Sequence, residues 1–124
     1  MSYNCMTQLA PSVAPAAGLQ LYLEEVRRLA PLEPAEEMRL LRRARRGDLA
    51  ALGEITVRNL GLVAGVVTQE HGEKDAILAH LEKGNQALLE AIRTFGASGC
   101  RSFRRYARSH IRRTIRADGH PVVQ

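Results

Sequence analysis

The sequence has no tryptophan, and aromatic residues supply only 4% of its 124 residues. With so few aromatic rings, the core must be built from leucine, isoleucine, valine and alanine. The two cysteines, Cys5 and Cys100, fit neither a disulfide framework nor a zinc pattern, which favours a reducing cytoplasm. No apolar run approaches the roughly 18 residues that cross a membrane. We therefore expect a cytoplasmic protein with no membrane partner.

The beginning of the chain differs in composition from the rest. Residues 1–18 contain no charged side chain and include Pro11 and Pro15. Because a signal peptide would begin with basic residues, we interpret this stretch as a flexible leader. The remaining length suffices for one domain. We predict a leader at 1–18, one helical domain at 19–117 and a short tail at 118–124.

Positive charge is concentrated near the end of the sequence. Residues 1–100 carry 11 lysines and arginines against 12 acidic residues, although the whole chain has a net charge of +5. Residues 101–124 carry seven arginines and one acid, Asp118. A localised basic patch indicates a nucleic acid or another acidic partner more strongly than evenly spread basic charge does.

Apolar residues recur with helical spacing, whereas period-two alternation is absent over any useful length. The sequence therefore predicts an all-α, compact bundle of about five helices. These helices are expected at about Gly18–Leu29, from Pro34 to a C-cap at Gly47, from Asp48 to Gly72, from Asp75 to Phe95, and from the break at Gly96–Gly99 to about Asp118. Pro34 suits a first helical turn, and Asp48 suits an N-cap.

The predicted fourth helix has two distinct sides. The core stripe is expected to contain Ile77, Leu81, Gly84, Leu88, Ala91, Ile92 and Phe95. A second side, on a face predicted to be exposed, carries Leu78, Glu82, Asn85 and Leu89. Two leucines with polar residues between them fit a surface for a protein partner. Packing beneath a neighbouring helix explains the same spacing, and the sequence leaves both interpretations open.

The predicted fifth helix separates apolar residues from arginines. Phe103, Ala107, Ile111 and Ile115 recur every four residues on one side, with Tyr106 and His110 at its border. The other side carries Arg101, Arg104, Arg105, Arg108 and Arg112, extended by Arg116. A solvated face is the ordinary explanation of a charge run. Seven arginines against one acid instead favour contact with phosphates, which guanidinium groups bind in bidentate geometry.

Catalytic and metal-binding patterns are weak in this sequence. His71 and His80 do not have the spacing of a helical H-E-x-x-H metal site. His110 lies among arginines, which should lower its affinity for protons, and no base is near Cys100 to complete a nucleophile pair. We therefore expect no enzymatic activity, no metal and no cofactor.

Three segments in order resemble the sigma-70 family of bacterial transcription factors. Residues 19–67 resemble the opening conserved segment of the family through Tyr22-Leu23-x-Glu25, the helix start at Pro34, "ARRGD" and "NLGLV". The stretch "LEKGNQALLEAIRTF" resembles the segment that docks on the clamp helices of core RNA polymerase. The stretch "SFRRYARSHIRRTIR" resembles the helix that recognises and melts the −10 promoter element. The resemblance implies the fold of the sigma factor's second domain.

The resemblance also implies two sets of site residues. The DNA-binding set comprises Arg101, Arg104, Arg105, Tyr106, Arg108, Ser109, His110, Arg112, Arg113 and Arg116. The polymerase-docking set comprises Leu78, Ala79, Glu82, Lys83, Asn85 and Leu89. Base stacking by Tyr106 and Phe103 is also considered, although Phe103 fits the core better.

The sequence departs from the family pattern within both sets. Ser109 and His110 stand where the family has two tryptophans. Arg113 replaces a glutamine that reads a promoter base, and Arg116 replaces a threonine that faces DNA. In the docking set, Ala79 replaces an aspartate, Glu82–Lys83 replaces a Gln-Glu pair, Leu89 replaces a methionine, and Asn85 is kept. The changes in the DNA-binding set favour contact with the DNA backbone over reading or opening a particular sequence. Those in the docking set alter the charge pattern of that surface.

The leading hypothesis is a transcription factor that docks on core RNA polymerase and contacts −10 promoter DNA. Family members continue into domains for the upstream promoter element, whereas this sequence ends at Gln124, so a second chain is one way to supply upstream recognition. The alternatives are a polymerase-binding regulator that does not initiate transcription, a DNA-binding helical module independent of polymerase, and a protein whose arginine face binds an acidic protein.

Overall fold

The computed structural model describes residues 17–70 and 77–119. These residues form six α-helices, joined by short connections, and no strand. They are α1 (Ala17–Arg28), α2 (Pro34–Arg45), α3 (Leu49–Arg58), α4 (Leu60–Glu70), α5 (Ile77–Ser98) and α6 (Phe103–Gly119). The predicted all-α class is confirmed, with six helices here instead of five. Residues 1–16 of the leader predicted at 1–18 lie outside the described residues, as do His71, Gly72, the predicted helix start at Asp75 and the tail beyond 119.

The chain divides into two units, Met1–Gly61 and Leu62–Gln124. In the first unit, α2 packs against α3, and the connection between them is fixed by local hydrogen bonds. Pro34 occupies the first turn of α2, as predicted. Arg46 is the C-cap and Gly47 follows it with a φ of 98°, a left-handed conformation that favours glycine.

Asp48 caps α3 as the sequence predicts. Its carboxylate accepts a hydrogen bond from the Ala51 amide at 3.1 Å, and Arg43 Nε donates to it at 2.9 Å. These contacts, the Ala51 bond first, lower the pKa of Asp48 below its ordinary value of 3.8. The cap therefore remains ionised at neutral pH, where the positive end of the helix favours it.

The single long helix predicted from Asp48 to Gly72 is wrong, because the chain breaks at Asn59. The side-chain amide of Asn59 donates to the Ile55 carbonyl at 2.9 Å, while its backbone amide turns to Thr56. The side chain thus replaces the helical backbone bond, and α3 ends there. After the break, a Cβ on Gly61 would lie 2.9 Å from the Val26 carbonyl oxygen, so glycine is the residue that fits at this position.

The second unit is built around contacts between α5 and α6. The predicted core stripe of α5 is buried from Leu81 to Phe95, while Ile77 is half-buried. Helix α5 continues to Ser98, past the predicted end at Phe95, and Gly99 makes the break with a φ of 81°. Helix α6 then begins at Phe103, where the Ser102 hydroxyl accepts the Arg105 amide at 3.2 Å.

Among the described residues, no single helix is long and apolar enough to cross a membrane. Only α3 and α4 counted together meet that criterion, by length and composition alone.

Candidate nucleic-acid interface

Helix α6 is anchored by its apolar side, as the sequence predicts. Phe103, Ala107, Ile111 and Ile115 are each at most 2% exposed. On α5, a Cβ at Gly84 would lie 2.7 Å from Val63 Cγ1 and 3.5 Å from Ile111 Cγ2. The absence of a side chain at Gly84 therefore lets Ile111 and Val63 pack directly against α5. This close packing fixes which side of α6 faces solvent.

An aromatic cluster joins the end of α5 to the first turns of α6. The ring of Phe95 lies 5.4 Å from that of Phe103 in an edge-on arrangement and 5.5 Å from that of Tyr106. The His110 ring packs edge-on against Tyr106 at 5.0 Å. The hydroxyl groups of Tyr106 and Thr94 are 2.6 Å apart. Phe103 is thus a core residue, and the half-buried Tyr106 is held on α5.

Nine of the ten predicted DNA-binding residues lie on α6, and Arg101 precedes the helix. Five are exposed: Arg101, Arg105, Ser109, Arg113 and Arg116. Five are half-buried: Arg104, Tyr106, Arg108, His110 and Arg112. The arginines nevertheless do not form one continuous free stripe, because two of them have an acidic partner.

That partner is Glu70, at the end of α4. Its carboxylate accepts hydrogen bonds from Arg116 Nε at 2.8 Å and from Arg112 Nε at 3.2 Å. The Arg116 hydrogen bond is the main cause that lowers the pKa of Glu70 below its ordinary value of 4.5, against the opposing effect of burial. No sequence pattern identifies Glu70 as this partner, because it precedes Arg112 by 42 residues and lies outside the arginine-rich segment.

Other predicted residues surround an open depression of about 470 Å³ beside the first turns of α6. Its lining includes the three arginines Arg101, Arg105 and Arg113, together with Tyr106, Ser109 and His110. Cys100 and Ser102 complete the lining, which contains no carboxylate. The spacing of these residues placed them on α6 but gave no sign of a concave surface.

His110 differs from the arginines around it. Burial, and then the charge of Arg113, lower the pKa of its imidazole below the ordinary 6.5, while Glu90 acts in the opposite direction. The lowered proton affinity predicted from the sequence is thus confirmed, with burial as the larger cause. The ring is neutral at pH 7 and contributes a hydrogen-bonding group without charge.

The second side of α5 is only partly accessible. Glu82, Lys83 and Ala79 are exposed, and Leu78 and Leu89 are half-buried. Asn85, by contrast, is only 5% exposed, and its Oδ1 has no hydrogen-bond partner among the described residues. The expectation that Asn85 lies on an exposed face is therefore wrong, because this turn of α5 is covered.

Metal-binding clusters are absent from the described part of the chain, where no three His, Cys, Asp or Glu side chains come together. His80 is buried on α5, and His71 lies outside the described residues.

No family model matches the sequence. The sequence does match individual proteins. It is 30% identical over 105 residues to the RNA polymerase sigma factors SigA of Listeria monocytogenes and Listeria innocua, and the matched region covers 85% of this chain and 28% of each relative. It is also 30% identical over 97 residues to SigA of Clostridium acetobutylicum, covering 78% of this chain and 26% of that protein. The chain thus spans little more than a quarter of the curated relatives that it matches. It is a divergent sigma-70-like sequence, similar over most of its length to one part of a bacterial RNA polymerase sigma factor.

Proposed function

We propose that the protein acts in transcription as a sigma-like factor that binds core RNA polymerase through α5 and DNA through α6. The observation that carries this proposal is the construction of α6: an apolar side fixed on α5, and the other side rich in arginine. The similarity to RNA polymerase sigma factors supports the assignment to transcription, in the cytoplasm and without a catalytic activity. Residues 19–117 would form the sigma domain 2-like part, with a leader at 1–18 and a tail at 118–124.

The DNA contact would be made chiefly with phosphates. Arg101, Arg105 and Arg113 are exposed and without an ion-pair partner among the described carboxylates. Ser109 and His110 offer less surface for base stacking than the tryptophans of the family, and stacking on an aromatic ring is worth roughly 1–3 kcal/mol per base. Binding should therefore depend steeply on salt, with a log–log slope of about 0.7–0.9 per phosphate contact.

The docking surface on the polymerase would consist of exposed and half-buried α5 residues. Leu78 and Leu89 supply apolar area, while Ala79, Glu82 and Lys83 set the charge at the surface. Asn85 would act indirectly, by shaping the covered turn between them, since its side chain is buried.

Retention on core polymerase tests the docking surface. We expect immobilised core enzyme to retain the protein at moderate salt, and the L78E variant to lose retention while the control L49E, at a leucine that is 66% exposed on α3, keeps it. If the wild-type chain is not retained, and changing Glu82 and Lys83 to the family's Gln and Glu does not restore retention, the docking proposal is wrong. DNA binding without retention would instead favour a polymerase-independent module.

A second candidate, a regulator that binds polymerase without initiating transcription, is favoured by the small side chain at the exposed Ser109. Transcription in vitro on supercoiled and on pre-melted templates separates the two functions. Activity on pre-melted DNA alone would support a sigma-like factor with weak strand opening. Retention on polymerase with no transcription from either template would support the regulator.

A further inference from the structure

The depression beside the start of α6 has the dimensions of a small-molecule site. Its volume of about 470 Å³ falls within the roughly 300–1,000 Å³ of typical ligand pockets. It is concave and bordered by residues of a single short stretch, from Cys100 to Arg113. A depression of this size can hold one compact group, whereas a nucleic-acid backbone would pass across it along an extended surface.

The charges around the depression lack a counterion in the described part of the protein. Arg112 and Arg116 are neutralised by Glu70, whereas Arg101, Arg105 and Arg113 form no ion pair with any carboxylate of the described residues. No acidic residue occupies the first turn of α6, and Arg105 lies in that turn. A cation at the positive end of a helix is unfavourable, so an anion bound here would be stabilised both by the arginines and by the helix.

The other lining groups fit the remainder of a nucleotide. Ser102 and Ser109 supply hydroxyl groups, and the half-buried rings of Tyr106 and His110 supply an uncharged wall. Because the pKa of His110 is lowered by burial, its ring adds no further positive charge at neutral pH. The combination of arginines and aromatic rings in one lining favours a phosphorylated molecule with a planar group over inorganic phosphate alone.

We propose that this depression binds a free phosphorylated small molecule of about nucleotide size, whose phosphates contact Arg101, Arg105 and Arg113. DNA also carries phosphates, and the same arginines belong to the proposed DNA surface, so a bound nucleotide would compete with DNA. The inference does not depend on the proposed function, because ligand binding is measured with the protein alone.

Calorimetric titration of the purified chain tests the site, with ATP, pyrophosphate, adenosine and a short single-stranded oligonucleotide as separate probes. We expect ATP to bind with one-to-one stoichiometry, more tightly than pyrophosphate, and adenosine not to bind measurably. An R105Q/R113Q variant should bind ATP about tenfold more weakly or worse, since it loses two charge-assisted contacts. The control variant R45Q/R46Q removes the same charge from exposed arginines at the C-terminal end of α2 and should bind ATP as the wild type does.

Circular dichroism of each variant shows that a lost signal reflects the site and not the fold. Equal ATP affinity in the two double variants would overturn the proposal, because the attraction would then come from net charge. Binding of the oligonucleotide without ATP would also overturn it, and would leave the DNA surface intact. Binding of ATP but not of the oligonucleotide would support the pocket and count against the DNA contact.

Discussion

Glu70 Oε1 lies 2.8 Å from Arg116 Nε, and its other carboxylate oxygen lies 3.2 Å from Arg112 Nε. One acid at the end of α4 thus occupies two of the arginines that the proposed function assigns to DNA. Both arginines must exchange this partner for a phosphate when DNA binds. Under the proposed function, we therefore expect the ion pairs to reduce DNA affinity.

The E70Q variant should consequently bind DNA more tightly than the wild type. Two arginines become available, so the slope of log affinity against log salt should steepen by up to about 0.7–0.9 for each new phosphate contact. Fluorescence anisotropy with labelled DNA over a salt series measures this slope. The control E54Q removes an equal charge from the Glu54–Arg58 pair on α3 and should leave the slope unchanged. Identical slopes for the two variants would show that Glu70 does not restrain DNA binding.

The same ion pairs predict a pH dependence of stability. Because the pKa of Glu70 is lower in the folded chain than its ordinary 4.5, its contribution is fully present above that value and is lost as pH falls through the folded-state pKa. Urea unfolding of the wild type and of E70Q at pH about 7 and about 3 isolates this contribution. The difference between their unfolding free energies should shrink at the lower pH. If the difference in unfolding free energy between wild type and E70Q stays constant or grows at the lower pH, the Glu70 ion pairs do not stabilise the fold.

Close packing at Gly84 predicts that a methyl group there is destabilising. The Cβ of G84A would lie 2.7 Å from Val63 Cγ1, a branched side chain with little freedom to move within a helix. We expect G84A to lose about 1–2 kcal/mol of unfolding free energy, since overpacking outweighs the gain in helix propensity.

Gly53 provides the matched control, because nothing lies within 4 Å of a Cβ at that helical position. G53A should therefore gain about 0.5–1 kcal/mol. Urea denaturation measures both variants, and a G84A protein as stable as the wild type would show that α5 can shift to accommodate the methyl group.

The hydroxyl pair of Thr94 and Tyr106 predicts an energetic coupling between α5 and α6. The Thr94 hydroxyl donates to the Glu90 carbonyl at 2.9 Å, so the Tyr106 hydroxyl is the donor in the 2.6 Å contact. T94V and Y106F should each destabilise the fold. A double-mutant cycle should give a coupling of about 0.5–1.5 kcal/mol. If the losses of unfolding free energy in T94V and Y106F simply add in the double variant, the two hydroxyl groups do not interact in solution.

Periodicity was sufficient to predict the parts of the fold that depend on local sequence. The apolar side of α6, the core stripe of α5, the helix start at Pro34 and the cap at Asp48 all follow from residues within a few positions of one another. These features are governed by helix geometry and by the unpaired amides at helix ends, both of which the sequence displays directly.

Features that depend on distant contacts could not be predicted in this way. Glu70 meets Arg116 across 46 residues, and no local pattern marks that pairing. The spacing of Asn85 with Leu78, Glu82 and Leu89 fits an exposed side as well as a packed one, and the structure shows that Asn85 is buried. At Asn59, a side-chain hydrogen bond replaced a backbone bond inside an otherwise helical pattern, which apolar spacing does not reveal. The concave shape of the surface between Cys100 and Arg113 is likewise not marked by any spacing of residues.

The exposed Ser109 offers a direct test of how the protein handles unpaired bases. S109W introduces a ring at a solvent-facing position of α6, where the sigma-70 family carries a tryptophan, and it becomes the sole tryptophan of the chain. Stacking worth roughly 1–3 kcal/mol per base should strengthen binding to pre-melted DNA about fivefold or more, with little change for intact duplex. Tryptophan quenching reports the contact, and Q20W, at an exposed position of α1, serves as the control. Equal quenching in both variants would mean that α6 does not lie against the opened strand, and that its arginines meet DNA elsewhere.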